Sequence, residues 1–331
     1  MKYSIKSLIV APFIFIKGWR SLPLYELISY FFMFASIPML IYGIKEYNNN
    51  ILLLILLTIV TLYTGFFAVL IWNDITDADI DAVVHPDRPI PSGRITIKKF
   101  FTIAVIFSLI TLICSFLISL WCFLLVSLSA LFVTFHNKFL KKRVTIAAYS
   151  EIFTPIQWLI VPVFGFVAIW TFPTTGNIFS NFPNYNYLTI DSSQVIVLIL
   201  FIIFTYFADS SHDLPEGIHD FEGDKKTGVK TYATSFGIKN TAIISLIMLL
   251  ISGITAFFLF FITNLTFIFL IPFILVWIYM LILSFKLVKT PDKDIKKQSR
   301  ITGRKLFDYF LISFNLIFVD IFVQLIVYYY L

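Results

Sequence analysis

Charged residues are scarce in this sequence. They make up 13% of its 331 residues, whereas 59% are hydrophobic and the mean hydropathy is +0.90. Because a soluble domain carries roughly 25% charged residues, the composition excludes a chain whose surface mostly faces water. Long apolar runs recur along the whole sequence, which is typical of a polytopic α-helical membrane protein.

Cysteine and histidine are also few. The two cysteines, Cys114 and Cys122, both lie in apolar runs, and the four histidines form no cluster at metal-ligand spacing. These absences exclude a disulfide framework and a zinc site. The N-terminal apolar stretch 8–16 is too short to span a bilayer and has no cleavage site after it, which predicts an interfacial helix.

Apolar segments long enough to approach the roughly 20 residues of a membrane-spanning helix recur along the chain. We expect an all-α polytopic membrane protein with about nine transmembrane helices in a single bundle, forming one domain over residues 1–331. The predicted spans are 23–44, 50–72, 101–118, 120–135, 148–170, 193–209, 241–262, 266–285 and 306–331. The third and fourth are joined directly, which predicts a tight helical hairpin.

The basic residues test this count of spans. When the N-terminus is placed in the cytoplasm and the sides alternate, all of the 25 Lys and Arg except Lys45 fall on the cytoplasmic side. The positive-inside rule therefore supports nine spans, because a wrong count would scramble the distribution. The same rule explains the net charge of +6, so no nucleic-acid partner is needed.

Carboxylates are concentrated in two of the cytoplasmic segments, each directly after an apolar helix. Spacings of three and four residues put the acids of each segment on one helical face. The first segment carries Asn73, Asp74, Asp77 and Asp81, and the second carries Asp209, Asp213, Glu216, Asp220 and Asp224.

The carboxylates on each face repel one another, because two carboxylates ~4 Å apart repel by about 4 kcal/mol at an effective dielectric near 20. Basic residues follow the acids without interleaving, so a divalent cation is the better compensation. Oxygen ligands select Mg²⁺, Mn²⁺ or Ca²⁺. Mg²⁺ is favoured because it commonly binds one or two carboxylates together with substrate phosphate, and Mn²⁺ could replace it. The basic residues that could contact the same phosphate are Arg88 and Arg94 after the first face, and Lys225, Lys226 and Lys230 after the second.

At these residues the chain resembles the UbiA superfamily of membrane prenyltransferases. The residues of the first face match the family's NDxxDxxxD signature, the segment 85–95 resembles its RP-x-PSGRI loop, and 220–231 resembles its second signature. The resemblance implies Mg²⁺-dependent transfer of a polyprenyl group from an allylic polyprenyl diphosphate to a hydrophobic or amphipathic acceptor. It also implies an active site at the cytoplasmic membrane surface, with diphosphate released.

The resemblance also assigns roles to individual residues. One Mg²⁺ would be held by Asp74, Asp77 and Asp81, and another by Asp220 and Asp224. Asn73 would bind metal or phosphate, and Arg88 and Lys230 would grip the diphosphate.

The second signature departs from the family pattern at one point. Many relatives carry a Lys-Asp pair where this chain has Glu216 and Gly217. The third ligand of the second site is therefore open between Asp213, one turn earlier, and Glu216.

The acceptor is less constrained than the donor. The PSGRI and DxEGD forms resemble those of geranylgeranylglyceryl-phosphate prenyltransferases and chlorophyll synthases, which favours a lipid glycerol-phosphate acceptor over an aromatic or quinone-precursor one. A membrane terpene cyclase of the same fold would carry the same motifs and need no second substrate. An ion-coupled transporter would place its acids near the bilayer midplane, whereas most of these acids lie at one surface.

One acid within the predicted fifth span is a candidate for binding the acceptor. Glu151 interrupts an apolar run, and an intramembrane glutamate usually faces a cavity. The alternative is an ion pair with Lys142 at the interface. Asp320, in contrast, lies about 21 Å along the last predicted span from its start, too far from the acidic segments for a direct metal role.

Overall fold

A computed structural model describes residues 23–84, 86–140, 143–172 and 192–330, and these ranges contain helices and no strand. The helices are α1 (Leu24–Tyr42), α2 (Asn49–Thr76), α3 (Ala78–Val84), α4 (Ile97–Ile118), α5 (Leu120–Phe135), α6 (Tyr149–Trp158), α7 (Ile160–Thr171), α8 (Ser192–Thr227), α9 (Tyr232–Phe236), α10 (Ile238–Ile262), α11 (Phe267–Lys289) and α12 (Asp292–Tyr330). A π-helical turn, His136–Leu140, follows α5. The interfacial helix predicted at 8–16 lies outside the described residues.

Within the described ranges, nine helical segments are long and apolar enough to cross a membrane. They coincide with the nine predicted spans, with α6 and α7 together forming the fifth. The predicted hairpin is confirmed, because Ser119 alone separates α4 from α5 and its hydroxyl accepts a hydrogen bond from the backbone N–H of Cys122 at 3.1 Å.

Two helices are much longer than the apolar pattern predicts. The α8 helix continues to Thr227, past the predicted end of its span at 209, and α12 begins at Asp292, ahead of the predicted start at 306. Hydropathy marks only the part of a helix that meets lipid, while backbone hydrogen bonding carries the same helix on into the polar region. The second acidic segment is consequently part of a membrane helix.

The helices close into a bundle around an apolar core rich in phenylalanine. The α8 helix packs against α6, α10 and α12, while α2 packs against α4 and α1 packs against α12. Large aromatic side chains such as Phe164, Phe201 and Phe314 are fully buried in this core. The two acid-bearing helices, α2 and α8, therefore have different main neighbours within one bundle, and both also contact α7.

Polar contacts between helices fix the bundle near both ends of α12. The fully buried Asp320 accepts hydrogen bonds from the backbone N–H of Thr266 at 2.6 Å and from its hydroxyl at 2.8 Å, which ties α12 to the start of α11. Nearer the other end, Arg304 donates to Glu26 at 2.7 Å and ties α12 to α1. Asp320 thus has a structural partner far from the acidic segments, in agreement with the prediction that it takes no direct part in metal binding.

Candidate metal and diphosphate site

The first acidic segment lies where α2 gives way to α3. Asp77 ends α2, and its backbone N–H donates to the carbonyl of Asn73 at 2.9 Å, while the N–H of Asp81 donates to the carbonyl of Asp77 at 2.8 Å. Because these bonds keep the i to i+4 pattern across the junction, the acids stay on one face as their spacing predicts. Asp74 and Asp81 are 2% and 3% exposed, so two carboxylates of this face are withdrawn from water.

Arg88 compensates this buried charge in part. One of its terminal nitrogens, Nη1, donates to both carboxylate oxygens of Asp81, at 2.7 and 2.8 Å, and lies 4.0 Å from Asp74. The loop that carries Arg88 turns back on itself at Gly93, whose φ of +71° suits glycine. The structure thus brings the loop cation directly onto the first acidic face.

Arg94 and Asn73 make different contacts. The Arg94 side chain donates to the hydroxyl of Ser92 at 3.0 Å and to the backbone carbonyl of Asp87, so it braces the loop. The side-chain carbonyl of Asn73 accepts a hydrogen bond from the amide of Asn137, in the π-helical turn after α5. The first acidic face therefore packs on one side against the π-helical turn that follows α5.

The second acidic segment lies entirely within α8. At its deeper end His212 is wedged between two acids, with Nε2 at 2.8 Å from Asp209 and Nδ1 at 3.6 Å from Asp213. Asp209 is fully buried, yet its Oδ2, like Oδ2 of Asp213, has no hydrogen-bond partner among the described residues. Unpaired buried carboxylate oxygens are costly, so the arrangement favours a cation that these residues could bind.

Farther along α8 the acidic face approaches the aqueous side. Asp220 and Asp224 are half-buried, whereas Glu216 is exposed and its side chain packs beside Gly303 of α12. Pro215 lacks an N–H to bond the carbonyl of Ser211, and the hydroxyl of Ser245 on α10 donates to that carbonyl instead, at 2.8 Å. This bond anchors the acidic part of α8 to its neighbour.

The lysines after the second face point in several directions. Lys225 is exposed and places its ammonium 5.8 Å from the centre of the Phe221 ring. Lys230 is also exposed, and its backbone carbonyl accepts a hydrogen bond from the N–H of Ser150 at 3.1 Å. The segment after α8 is thereby tied to the first turn of α6.

Glu151 lies in that first turn of α6 and reaches α8. The carboxylate is buried, with the whole residue 7% exposed, and it accepts a hydrogen bond from the backbone N–H of Tyr232. A Cβ atom placed on Gly217 would overlap Oε1 of Glu151. Glu151 therefore lies against α8, while Lys142, its predicted alternative partner, is outside the described residues.

The α9 segment completes this corner of the molecule. Burial, together with the nearby Tyr206 and Glu151, raises the pKa of the Tyr232 phenol, so the phenol stays protonated at neutral pH. Ala148, just before α6, adopts a left-handed φ of 57°, and its N–H donates to the hydroxyl of Ser235 at 2.9 Å. Strained backbone of this kind persists where surrounding contacts hold it, which fixes where α6 begins.

Aromatic rings bridge the two acid-bearing helices deeper in the bundle. Phe66 on α2 lies 5.2 Å from Trp158, Trp158 lies 5.3 Å from Phe310 of α12, and Phe310 lies 6.5 Å from His212 on α8, all between ring centres. Phe66 and His212 each precede an aspartate of their own segment, Asp74 and Asp220, by eight residues, or about 12 Å of helix. Asp74 and Asp220 thus have an aromatic layer beneath them, whereas Asp209 and Asp213 lie level with it.

The donor set fits a hard divalent cation. Carboxylate oxygens dominate both faces, and Nε2 of His212 is already hydrogen-bonded to Asp209. Asp209, His212 and Asp213 bring their ligand atoms within 4.8 Å of one another. Oxygen-rich sites of this kind suit Mg²⁺ or Mn²⁺, and the acids of either face could hold such an ion.

These features define a polytopic helical membrane protein with two carboxylate faces at helix ends. The model of the UbiA prenyltransferase family matches residues 29–312. The chain belongs to this family, and it is an integral membrane protein. The resemblance in the motifs is thereby confirmed at the level of the family.

Curated relatives give the same family context. The chain is 27% identical over 185 residues to digeranylgeranylglyceryl phosphate synthase from Sulfurisphaera tokodaii, a match that covers 56% of this chain and 58% of the relative. It is also 27% identical to the enzyme of the same name from Methanococcus aeolicus, over 85% of this chain and 91% of the relative. The Sulfurisphaera match thus spans less than two thirds of that relative's length.

Solved structures share the fold. A UbiA homologue from Aeropyrum pernix K1 superposes with a TM-score of 0.64 at 16% identity, covering 91% of this chain and 99% of the homologue. A homologue from Archaeoglobus fulgidus, bound to GPP and Mg²⁺, gives a TM-score of 0.52 at 14% identity over 86% of this chain and 95% of the homologue. At these identities the likeness establishes the fold, and the expected all-helical architecture is confirmed.

Proposed function

We propose that this protein is a Mg²⁺-dependent prenyltransferase that moves a polyprenyl group from an allylic diphosphate to an acceptor. The observation that carries the proposal is the pairing of Arg88 with the buried Asp81, beside the equally buried Asp74. A cation and carboxylates that converge at a helix end form a site for an anion and its metal. The second carboxylate face, on α8, supplies a further set of oxygen ligands.

The relatives support the donor and the metal. An Archaeoglobus fulgidus homologue binds GPP with Mg²⁺, which makes an allylic diphosphate and this ion the first ligands to test. We assign the metal ligands as proposed from the motifs, with Asp74, Asp77 and Asp81 on the first face and Asp220 and Asp224 on the second. Arg88 and Lys230 would contact diphosphate oxygens that the metal leaves free.

The proposed mechanism follows from charge. Cleavage of the allylic C–O bond leaves a diphosphate anion and an allylic carbocation. Bound Mg²⁺ would stabilise the charge that develops on the leaving oxygen. Arg88, held beside the first face, contributes a fixed positive charge to the same anion.

The chain must also protect the carbocation until the acceptor attacks. Phe66, Trp158 and Phe310 form the aromatic layer below the acids, and the negative face of an aromatic ring stabilises a cation. The apolar bundle around these rings excludes water and accommodates the isoprenoid tail. An acceptor hydroxyl or carbon then forms the new bond and gives up a proton to a base.

We propose a lipid glycerol phosphate as the acceptor and the cytoplasm as the side of the reaction. Curated relatives named digeranylgeranylglyceryl phosphate synthase favour this acceptor class. The distribution of Lys and Arg favours an N-terminus and an active site on the cytoplasmic side. Residues 1–331 would work as one domain.

Incubation of the purified protein with labelled prenyl diphosphates tests the proposal. We expect a prenylated glycerol-phosphate lipid and free diphosphate, both abolished by excess EDTA and restored by Mg²⁺, as measured by mass spectrometry. An aromatic acceptor in a parallel reaction tests the alternative acceptor class. A product formed from the diphosphate alone would identify a cyclase, and full activity in EDTA would contradict the diphosphate site.

A further inference from the structure

The carboxylate face of α8 has a gap at its centre. Residues 213, 217, 220 and 224 share one side of the helix, because they are separated by four, three and four residues. Three of them are aspartates, whereas the fourth is Gly217, which has no side chain. Glu216, which the spacing puts on this face between Asp213 and Asp220, packs beside Gly303 of α12 instead. No carboxylate of α8 itself therefore lies at Gly217.

A carboxylate from another helix fills the gap. Oε1 of Glu151, on α6, occupies the space that a Cβ atom on Gly217 would take, with Cδ of Glu151 3.0 Å from that position. Any residue other than glycine at 217 would collide with this carboxylate. The glycine on α8 thus leaves the space that the glutamate carboxylate of α6 occupies where the two helices are in contact.

Charge places Glu151 among the acids of the second face. It lies close enough to Asp220 and Asp224 for mutual electrostatic repulsion, and the same holds between Glu151 and Asp213. Among the described residues Glu151 has no ion pair with a lysine or an arginine, and its carboxylate accepts a hydrogen bond from the backbone N–H of Tyr232. A buried carboxylate added to a repelling group is unfavourable unless a cation joins it.

A second observation points to a ligand at the same face. Oδ2 of Asp209 is completely buried without a hydrogen-bond partner among the described residues, and Oδ2 of Asp213 lacks one too. Asp209 and Asp213 hold their ligand atoms within 4.8 Å of each other, and Asp213 lies about one helical turn before Gly217 on the same helix. The face therefore contains unsatisfied oxygen atoms next to the point where Glu151 enters.

The backbone around Glu151 is held firmly in place. The N–H of Ser150 donates to the carbonyl of Lys230 at 3.1 Å, and the N–H of Ala148 donates to the hydroxyl of Ser235 at 2.9 Å. Glu151 also lies in the first turn of α6, where the helix dipole favours a negative charge. The Glu151 carboxylate is thus held in place beside the glycine of α8.

We propose that Glu151 is a ligand of the second metal site and supplies in trans the carboxylate that α8 lacks at Gly217. The inference rests on the proposed diphosphate site, and it replaces both Asp213 and Glu216 as the third ligand of that site. Glu216 is exposed and packs beside α12, and Asp213 lies one turn deeper along α8, with Oδ1 at 3.6 Å from Nδ1 of His212. Glu151 is accordingly a metal-binding residue, and the acceptor is bound elsewhere.

Mn²⁺ binding in the presence of inorganic diphosphate tests this assignment, with free Mn²⁺ measured by electron paramagnetic resonance. Glu151→Gln keeps an oxygen acceptor for the N–H of Tyr232 but removes the charge. We expect its Mn²⁺ affinity to fall at least about tenfold, in the range that loss of groups supporting a metal site produces. Glu222→Gln is the matched control, because Glu222 lies on the same helix, is 61% exposed and pairs with Lys296.

A transplant of the carboxylate makes the test decisive. Gly217→Asp combined with Glu151→Ala moves the acid from α6 to α8 and relieves the collision. We expect this double variant to recover most of the Mn²⁺ affinity that Glu151→Ala loses. A double variant no better than Glu151→Ala would overturn the proposal, as would unchanged binding by Glu151→Gln.

The same measurement separates this proposal from the proposed function. Asp220→Ala reports on the diphosphate site as a whole. Loss of Mn²⁺ binding in Asp220→Ala with normal binding in Glu151→Gln would keep the prenyltransferase and overturn the role of Glu151. Normal binding in both variants would overturn both proposals, and loss in both with recovery in the double variant supports both.

Discussion

One nitrogen of Arg88 donates to both carboxylate oxygens of Asp81, at 2.7 and 2.8 Å. Asp81 is almost wholly buried, and Arg88 is 35% exposed. A partly exposed cation thus satisfies a buried anion. If Asp81 binds Mg²⁺ in the proposed reaction, the guanidinium of Arg88 would become available to the diphosphate.

Arg88→Gln should destabilise the metal-free protein and leave the metal-loaded protein much less affected. Hydrogen bonds to charged groups contribute about 1.5–3 kcal/mol, and Mg²⁺ can replace the lost positive charge beside Asp81. We expect a lower melting temperature in EDTA that Mg²⁺ largely restores, together with a raised KM for the prenyl diphosphate. Arg300→Gln, at an exposed position of α12, is the control. An equal loss of stability with and without Mg²⁺ would make Arg88 purely structural.

Asp77→Ala and Asp220→Ala should each remain folded in detergent and lose at least ~100-fold in turnover. Groups aimed at leaving-group charge typically contribute about 3–4 kcal/mol to transition-state stabilisation. Asp292→Ala and Asp294→Ala should be near neutral, because both side chains are exposed in the first turn of α12. Equal losses in all four variants, or early melting of the first two without loss of activity, would refute the site assignment.

Cysteines introduced at Ser92 and Thr227 should react with a membrane-impermeant thiol reagent only from the cytoplasmic side. Both residues are exposed, and they follow the two acidic segments that must meet one diphosphate. The background is Cys114→Ala with Cys122→Ala, which removes the native thiols of α4 and α5. Labelling of the two positions from opposite sides would break the proposed topology.

Asp320→Asn should show that a buried acid with a structural role can be changed without an effect on metal binding. The Asp320 carboxylate satisfies the N–H and hydroxyl of Thr266 at the start of α11, far from both acidic faces. We expect a loss of about 1–3 kcal/mol of stability, seen as a lower melting temperature, with Mn²⁺ affinity unchanged. Reduced Mn²⁺ affinity in the folded variant would contradict this division.

Much of the site could be predicted from sequence because it is local. The first acidic face depends on spacings within nine residues and on a loop that follows at once, so helical periodicity alone brings Asp74 and Asp81 together. The contact of Arg88 with Asp81 spans only seven residues. The nine spans follow in the same way from hydropathy summed over short windows.

What the sequence could not provide depends on packing between distant segments. Glu151 and Gly217 are separated by more than sixty residues, and no periodicity or motif in either segment predicts that their helices are in contact. The one available signal is the glycine at position 217 within a helical face of acids. A residue without a side chain at such a position indicates that a group from another segment occupies the space beside it. The length of α8 was also missed, because a hydropathy pattern ends at the first charges while the helix continues.

The α8 helix runs through 36 residues, from lipid to the last aspartate, as a single rod. A residue inserted into its apolar half would turn everything beyond it by about 100° and lift it by about 1.5 Å. The aspartates would then face a different neighbour, although none of them had been altered. Only length changes that nearly complete whole turns, such as about 7 or 11 residues, would keep their direction. The number of residues in the apolar half of this helix therefore sets both the height and the direction of the acids that follow it.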